Sequence, residues 1–324
     1  MAARFLEALF RNYYRGASLD VPEIERREVG YLAPDGVMVR HRSFKSAEEL
    51  KSFCVERPPL GLYYSAALYE RPDERDMDAK GWLGADLVFD IDGDHLDTPS
   101  CRGMELLNYR CLEDAREEAL KLLDALRNEL GLEGSPVYSG HRGFHVHVRS
   151  DEVRGLDAGE RRRLVDFLVG RNLDLSKLEA RVGRRVVKLY AEEPLGSLAR
   201  LMRGLDDGSY SIRIDEVVTT DVHRLIRAPG SLNNKTGFAA IPLSYSDLDR
   251  DAESIVERAL AFRKGEVPVR LKEPVGEVLG IEIGREEAVV PTYIAIYLYL
   301  QGKAELQIEG DRDVRGQRRR SYGG

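Results

Sequence analysis

Residues 85–92 read ADLVFDID, an apolar run that ends in two aspartates one residue apart. Successive side chains of a β-strand point to opposite faces, so Asp90 and Asp92 share one face, and Leu87, Phe89 and Ile91 share the other. Two neighbouring carboxylates repel each other unless a cation lies between them or one holds a proton. Oxygen ligands suit hard divalent ions, and we expect Mg²⁺ or Mn²⁺ there. The alternative is a strand end with solvated acids.

A second alternating stretch, SIRID at residues 211–215, is expected to be a strand that directs its isoleucines inward and Asp215 outward. Three carboxylates from separate strands would hold two metal ions about 3.5–4 Å apart. One ion would activate an attacking 3′ hydroxyl, and the other would clamp the triphosphate of an incoming nucleotide. The three aspartates are therefore candidate catalytic residues of a polymerase.

Two further strings carry groups that suit phosphate. In SGHRGFHVHV, residues 139–148, the glycines let backbone N–H groups approach an anion, and Ser139, Arg142 and His145 are candidate donors. A bulged strand with solvated polar residues explains this string equally well. In HRLIRAPGSLNNKTG, residues 223–237, an irregular loop is expected to present Arg227 and Lys235 to a triphosphate. Its Lys-Thr pair lacks the glycine spacing of a Walker loop.

The order of elements predicts an α+β fold in which a mixed β-sheet core is flanked by helices. We expect helices at residues 5–16, 47–54, 112–130 and 249–264, a hairpin at 29–44, strands at 85–92 and 136–148, and β-like segments at 209–218 and 237–243. We also expect a charged helical insertion at 151–205 and a Pro- and Glu-rich linker at 266–274.

Composition limits the partners of the chain. The net charge is −7 over 324 residues, so any nucleic-acid surface must be local. The basic clusters at 161–163, 184–185 and 318–320 are interpreted as solvated faces. A membrane span needs about 20 apolar residues, and no apolar run in the sequence approaches that length. We therefore expect a cytoplasmic protein without a membrane partner.

Together LVFDID, SGHRGFH and the stretch from Asp215 through RLIRAPGSLNNKTG resemble, in order and spacing, the three motifs of the small catalytic subunit of archaeal and eukaryotic DNA primases. The strings RE at 27–28 and LYYSAALY at 62–69 extend the resemblance to about residues 5–245. It implies a catalytic core formed by 1–150 and 206–265, a helical insertion at 151–205, and a C-terminal segment at 266–324 with a basic flexible tail.

The resemblance also implies roles for single residues. Asp90, Asp92 and Asp215 match the metal-binding aspartates, while Ser139, Arg142, His145 and Lys235 match nucleotide-binding positions. This chain departs from the family at His141, where arginine is common, and at Asn233, where histidine is common. Both departures retain hydrogen bonding but remove positive charge, so we expect altered nucleotide affinity rather than lost chemistry.

Family members hold a structural zinc after the Asp-x-Asp strand, and His95, Cys101 and Cys111 lie in the corresponding region, 93–111. Structural zinc sites have four closed ligands, whereas the expected Cys-x-x-Cys pair reads NYRC here. A degenerate site, a three-residue site with an unidentified fourth ligand, and a Cys101–Cys111 disulfide remain open.

The resemblance implies a primase that begins chains on single-stranded DNA template from nucleoside triphosphates and forms a heterodimer with a large subunit. The preference between ribonucleotides and deoxyribonucleotides stays open. One alternative is a polymerase of the same superfamily that acts in repair or in mobile elements. Another is a non-catalytic module that binds single-stranded nucleic acid, which would use aromatic platforms and a basic groove.

Overall fold

The structure is a computed structural model that describes residues 1–171, 179–182, 185–188, 211–284 and 286–308. Its helices are α1 (Ala2–Gly16), α2 (Ala47–Glu56), α3 (Tyr109–Leu130), α4 (Asp151–Arg154), α5 (Ala158–Leu168), α6 (Glu216–Thr220), α7 (Tyr245–Leu248), α8 (Ala252–Ala259) and α9 (Thr292–Leu300). Its strands are β1 (Val29–Leu32), β2 (Met38–Arg42), β3 (Gly61–Ser65), β4 (Ala67–Tyr69), β5 (Trp82–Ala85), β6 (Leu87–Asp92), β7 (Ser135–Tyr138), β8 (Gly143–Val148), β9 (Glu179–Val182), β10 (Arg185–Lys188), β11 (Leu225–Arg227), β12 (Ile241–Pro242), β13 (Glu266–Leu271), β14 (Gly276–Val278), β15 (Ile281–Ile283), β16 (Glu287–Pro291) and β17 (Ala304–Leu306).

Two four-stranded sheets position the candidate site. One has the order β11-β3-β1-β2 and the other the order β12-β7-β8-β6. A three-stranded sheet, β16-β13-β17, and three strand pairs complete the described part, in which every pairing is antiparallel. Helices and antiparallel sheets together confirm the α+β prediction.

Helix α3 forms the main support of the second sheet. The Asn108 side chain accepts a hydrogen bond from the Arg110 N–H at its start, and Gly131 ends it with a φ of 66°. Its apolar face, which includes Leu122 and Leu126, is buried and packs against β8. Because that face is fixed by helical periodicity, the sequence predicted this element well.

Three segments differ from the prediction. Residues 136–148 were expected to be one strand, but they form the hairpin β7–β8, because Gly140 adopts a φ of 76° and turns the chain. Residues 211–215 were expected to be a strand but have no regular secondary structure. The expected linker at 266–274 was wrong for its first part, since β13 pairs with both β16 and β17.

The expected insertion begins with α4 and α5 and includes the β9–β10 pair, while residues 172–178, 183–184 and 189–210 lie outside the described residues. Arg161 corrects the interpretation of its basic cluster as a solvated face. Its guanidinium is buried and donates to the Asp86 and Ala85 carbonyl oxygens at 3.0 and 2.6 Å. It therefore supports the chain just before β6. The basic tail, 309–324, also lies outside the described residues.

No helix in the described ranges has the length and apolar character that a membrane crossing requires.

Candidate active site

The two aspartates of β6 lie where the strand passes β8. Asp90 is opposite His145, and Asp92 is opposite Gly143. A Cβ atom at Gly143 would lie 1.8 Å from the Ile91 carbonyl oxygen, so only glycine allows the two backbones to approach this closely. The glycine of the second string therefore brings the phosphate-side hairpin against the acidic strand.

Asp215 reaches the same place along the free edge of β6. Its backbone N–H donates to the Asp90 carbonyl oxygen at 2.8 Å. Two buried groups fix this approach: Thr219 Oγ1 donates to the Val88 carbonyl oxygen at 2.9 Å, and Glu118 Oε2 accepts from the Arg213 N–H at 3.0 Å. The structure thus places Asp215 beside Asp90, as the sequence interpretation required, although the segment is not a strand.

Within the described residues, no lysine or arginine forms an ion pair with the acidic cluster, which is defined as Asp90, Asp92 and Asp215. Burial, followed by the negative charges of Asp92 and Asp215, raises the pKa of Asp90 to about 7. The positive charges of Arg224 and His95 oppose that increase but do not cancel it. An added cation would remove the repulsion that disfavours the ionised form of Asp90.

The donor atoms of the cluster suit a hard cation, although the side chains do not enclose an ion. Among the described residues, no three acidic, histidine or cysteine side chains are grouped closely enough to hold a metal. One oxygen of Asp92 accepts from the Asp94 N–H, and one oxygen of Asp215 accepts from the Val217 N–H. Each carboxylate keeps a second oxygen, and oxygen ligands are those that Mg²⁺ and Mn²⁺ prefer.

Arg227 lies in β11 and is mostly buried rather than carried on an irregular loop. Its guanidinium donates to the Leu232 carbonyl oxygen at 3.0 Å, the Tyr63 hydroxyl at 3.0 Å and Asn234 Oδ1 at 2.9 Å. It also lies over the Tyr63 ring, 4.8 Å from the centroid. All these partners are neutral, so within the described residues the positive charge of Arg227 has no carboxylate partner.

Lys235 is exposed on a loop that is tied to the phosphate-side hairpin. Asn233 makes the connection: its Nδ2 donates to the Ser139 carbonyl oxygen at 3.0 Å, and its Oδ1 accepts from the Lys235 N–H at 2.9 Å. Thr236 Oγ1 also donates to the Gly140 carbonyl oxygen. Asn233 therefore contributes hydrogen bonds to the loop geometry at the position where the family often has histidine.

Arg142 is held at the end of the hairpin by the region that follows β6. It forms an ion pair with Asp94, and its Nη1 donates to the Met104 carbonyl oxygen at 3.3 Å. Ser139 Oγ accepts from the His141 N–H at 3.3 Å, which fixes the turn. Both Ser139 and Arg142 thus lie on the turn that faces Asn233 and Lys235.

The histidines of the hairpin are neutral. Burial, helped by the positive charges of Arg227 and Arg224, lowers the pKa of His145 to about 3. Its Nε2 lies 3.7 Å from Asp90 Oδ1, and its buried Nδ1 has no hydrogen-bond partner in the described part of the chain. Burial, followed by the charge of Arg142, lowers the pKa of His141 to about 2. His141 therefore adds no positive charge where the family often has arginine.

Sequence reasoning missed Arg224 and Tyr63. The positive charge of Arg224 lowers the pKa of both Asp90 and His145, so Arg224 lies near both, and its side chain has no hydrogen-bond or ion-pair partner among the described residues. Arg224 belongs to the same basic string as Arg227. That string was a usable signal, but it did not show which arginine would stay free.

Cys101 and Cys111 are joined by a disulfide, with Cα atoms 4.8 Å apart. This is one of the three alternatives that the sequence left open. Zinc binds cysteine as thiolate, so a zinc site built on His95, Cys101 and Cys111 would need the reduced form. His95, the third candidate zinc ligand, is exposed.

The family model and the sequence relatives agree with these motifs. A family model described as DNA primase small subunit matches residues 89–245. A DNA primase small subunit PriS from Pyrobaculum calidifontis is 54% identical over 303 residues, covering 91% of this chain and 97% of the relative. The PriS from Archaeoglobus fulgidus is 34% identical over 338 residues, covering 93% and 97%. A polymerase domain of Mycobacterium tuberculosis Ligase D in complex with DNA has a TM-score of 0.44 at 16% identity, covering 78% of this chain and 88% of that one.

Proposed function

The chain belongs to the family of DNA primase small subunits, and we propose that it makes short primers on single-stranded DNA by two-metal nucleotidyl transfer. As a catalytic primase subunit it is a nucleotidyltransferase. The observation that carries the proposal is the hydrogen bond from the Asp215 N–H to the Asp90 carbonyl oxygen, which joins the third acid to the other two.

Asp90, Asp92 and Asp215 are the residues that would hold Mg²⁺ or Mn²⁺. Their combined charge, which raises the pKa of Asp90, supports this assignment. When bound, a pair of divalent ions activates the attacking 3′ hydroxyl and neutralises charge on the triphosphate. The carboxylates themselves orient the reacting centre at the open edge of β6, and the segment before α6 keeps Asp215 in place.

The cationic residues beside the acidic cluster would bind the triphosphate. Arg142, Arg224 and Lys235 offer positive charge from the hairpin and the neighbouring segments, and Arg227 adds a mostly buried charge. Neutral His145 and the turn residue Ser139 would donate hydrogen bonds rather than charge. Such a cradle stabilises negative charge that develops as pyrophosphate leaves.

We further propose that the chain works as a heterodimer with a primase large subunit, as the name small subunit implies for its relatives. Co-expression with the large subunit encoded in the same genome, followed by size-exclusion chromatography, tests this. A stable complex with one copy of each chain supports the heterodimer, and separate elution of the two chains contradicts it.

A primer-synthesis assay on single-stranded DNA tests the catalytic proposal. Wild-type protein, Asp92→Asn and the control Asp97→Asn are incubated with Mg²⁺ or Mn²⁺ and with either ribonucleotides or deoxyribonucleotides. Asp92→Asn keeps the acceptor for the Asp94 N–H, so the fold should persist, while Asp97 is an exposed surface acid paired with Arg102. We expect products from wild type and Asp97→Asn only.

Retention of wild-type incorporation by Asp92→Asn would contradict the two-metal proposal. If wild type makes no products but binds template as tightly as Asp92→Asn does, the chain is a binding module instead. The nucleotide set that yields products identifies the sugar preference.

A further inference from the structure

We propose that helix α9 and the residue that follows it position two phosphate-binding cations, through Tyr297 for the half-buried Arg142 and through Gln301 for the exposed Lys235. The inference rests on the proposed function, because it assumes that these cations bind a triphosphate. Helix α9 lies beyond residues 89–245, which the family model matches, and no motif in the sequence identifies it as part of the site.

The contact with the Lys235 loop involves both a hydrogen bond and packing. Gln301 Nε2 donates to the Lys235 carbonyl oxygen at 2.8 Å. The Tyr297 ring lies 5.8 Å from the Phe238 ring, and a Cβ at Gly237 would come within 2.8 Å of the Ile296 side chain. The loop therefore lies directly on α9, and only a glycine at 237 leaves room for it.

The contact with Arg142 passes through the segment at residues 96–108, which we call the bridge loop. The buried Tyr297 hydroxyl accepts a hydrogen bond from the Leu107 N–H at 2.7 Å. Lys303, which follows α9, adds an ion pair with Glu105 at 2.7 Å. The same loop presents the Met104 carbonyl oxygen that accepts from Arg142 Nη1 at 3.3 Å. Fixing Leu107 thus fixes an acceptor of the arginine.

The arrangement suits a positioning role because α9 is a rigid base. Gln301 directly follows α9 with helical backbone angles and is four residues after Tyr297, so the two side chains project from the same side. Most of α9 is buried, and it packs against β13 and β17. Side chains that bind ligands are most precisely placed when well-packed elements support them. Loss of either hydrogen bond should therefore weaken triphosphate binding while leaving the reacting carboxylates in place.

Two variants and one control test the proposal. Tyr297→Phe removes the acceptor and keeps the ring that packs on Phe238, while Gln301→Met removes the donor at similar size. Tyr299→Phe removes a tyrosine hydroxyl from the same helix that has no hydrogen-bond partner among the described residues, and it serves as the matched control. Binding of ATP in the presence of Mn²⁺ is measured by equilibrium titration without template, and KM and kcat are measured in the primer-synthesis assay.

We expect each test variant to raise the Kd and the KM about three- to tenfold with kcat nearly unchanged, and the control to match wild type. Double-mutant cycles then assign the route. Tyr297→Phe should have no further effect on Kd in an Arg142→Ala background, and Gln301→Met none in a Lys235→Ala background. The crossed pairs should be additive, because Tyr297 and Gln301 act on different cations.

Unchanged Kd in both test variants, or a fall in kcat without a change in Kd, would overturn the positioning role. Additivity within the paired cycles would overturn it as well. Failure of the proposed function is distinguishable, because it would abolish template-dependent products in wild type, while the binding titration would still report whether α9 affects the nucleotide.

Discussion

The acidic cluster and the cationic loops lie on neighbouring parts of the fold, which positions them in different ways. Asp90 and Asp92 are placed by strand register, and the backbone hydrogen bond of Asp215 extends the same edge. Lys235 and Arg142, by contrast, lie on turns whose shape depends on Asn233, Met104 and distant hydrogen bonds. The reacting acids are thus fixed by the sheet, and the binding cations are fixed by neighbours.

The acidic cluster and the cationic loops also differ in how their charges are balanced. The acids are crowded, so that repulsion and burial raise the pKa of Asp90 to about 7. The arginine of β11 is instead surrounded by neutral acceptors, and the hairpin histidines are neutral because burial lowers their pKa values. The acidic cluster is therefore suited to bind a cation, and the cationic loops are suited to bind an anion. Changes to the acids should alter turnover, whereas changes to the cations should alter affinity.

The largest effect should come from Asp215→Asn. The asparagine oxygen can still accept from the Val217 N–H, so the start of α6 is kept while one negative charge is lost. We expect kcat for nucleotide incorporation to fall about a thousandfold. Steady-state primer synthesis measures this, with the exposed Asp221→Asn as control. A fall in affinity alone, with kcat intact, would place Asp215 on the binding side of the comparison.

Arg224→Ala should affect the cationic side of the site and therefore the affinity for nucleotide. Its guanidinium lies close enough to influence Asp90 and His145 and has no partner among the described residues, so it is free to meet phosphate. We expect the KM for nucleoside triphosphate to rise about tenfold, as for the loss of one charge-assisted hydrogen bond. The exposed Arg102→Ala, which breaks only a surface pair with Asp97, is the control. An unchanged KM would remove Arg224 from the binding residues.

The disulfide links the region after β6 to the start of α3, and it closes a sequence separation of 10 residues. A loop of this size predicts that the bridge stabilises the fold by about 2–3 kcal/mol. Urea unfolding of wild type with and without reductant measures the difference, and Cys101→Ser should match the reduced protein. Cys54→Ala removes the buried cysteine that forms no bridge, and it serves as the control for any effect of reductant on stability through that thiol. Equal midpoints with and without reductant would contradict a bridge in solution.

A smaller effect follows from the buried neutral His141. Its pKa in the folded protein is about 2, whereas the ordinary value is 6.5. At a pH between these two values, His141 takes up a proton in the unfolded chain but not in the folded protein. Stability should therefore fall with acid by about 1.4 kcal/mol per pH unit from this residue. His141→Gln should reduce the slope of unfolding free energy between about pH 6.5 and pH 5. An equal slope in His141→Gln and wild type would contradict the prediction.

The acidic strand was predictable because alternation and burial act within a few residues. The convergence with Asp215 required more, since residues 211–215 form no strand and depend on Glu118 and Thr219 from other elements. We also expected residues 266–274 to be a linker. Their first part instead forms β13, which contains Pro268, because pairing with β16 and β17 overrides the low strand propensity of proline. The support of Lys235 by Gln301 could not be read from any local pattern, because the two residues meet only in the folded chain.

The most direct test of the central claim is a crystal structure with Mn²⁺ and a non-hydrolysable nucleoside triphosphate, in which anomalous scattering locates the metal. We predict two manganese peaks about 3.5–4 Å apart, held by oxygens of Asp90, Asp92 and Asp215, with the triphosphate extending toward Arg142 and Lys235. Metal bound elsewhere, or a nucleotide complex in which Asp215 contacts no metal, would contradict the account.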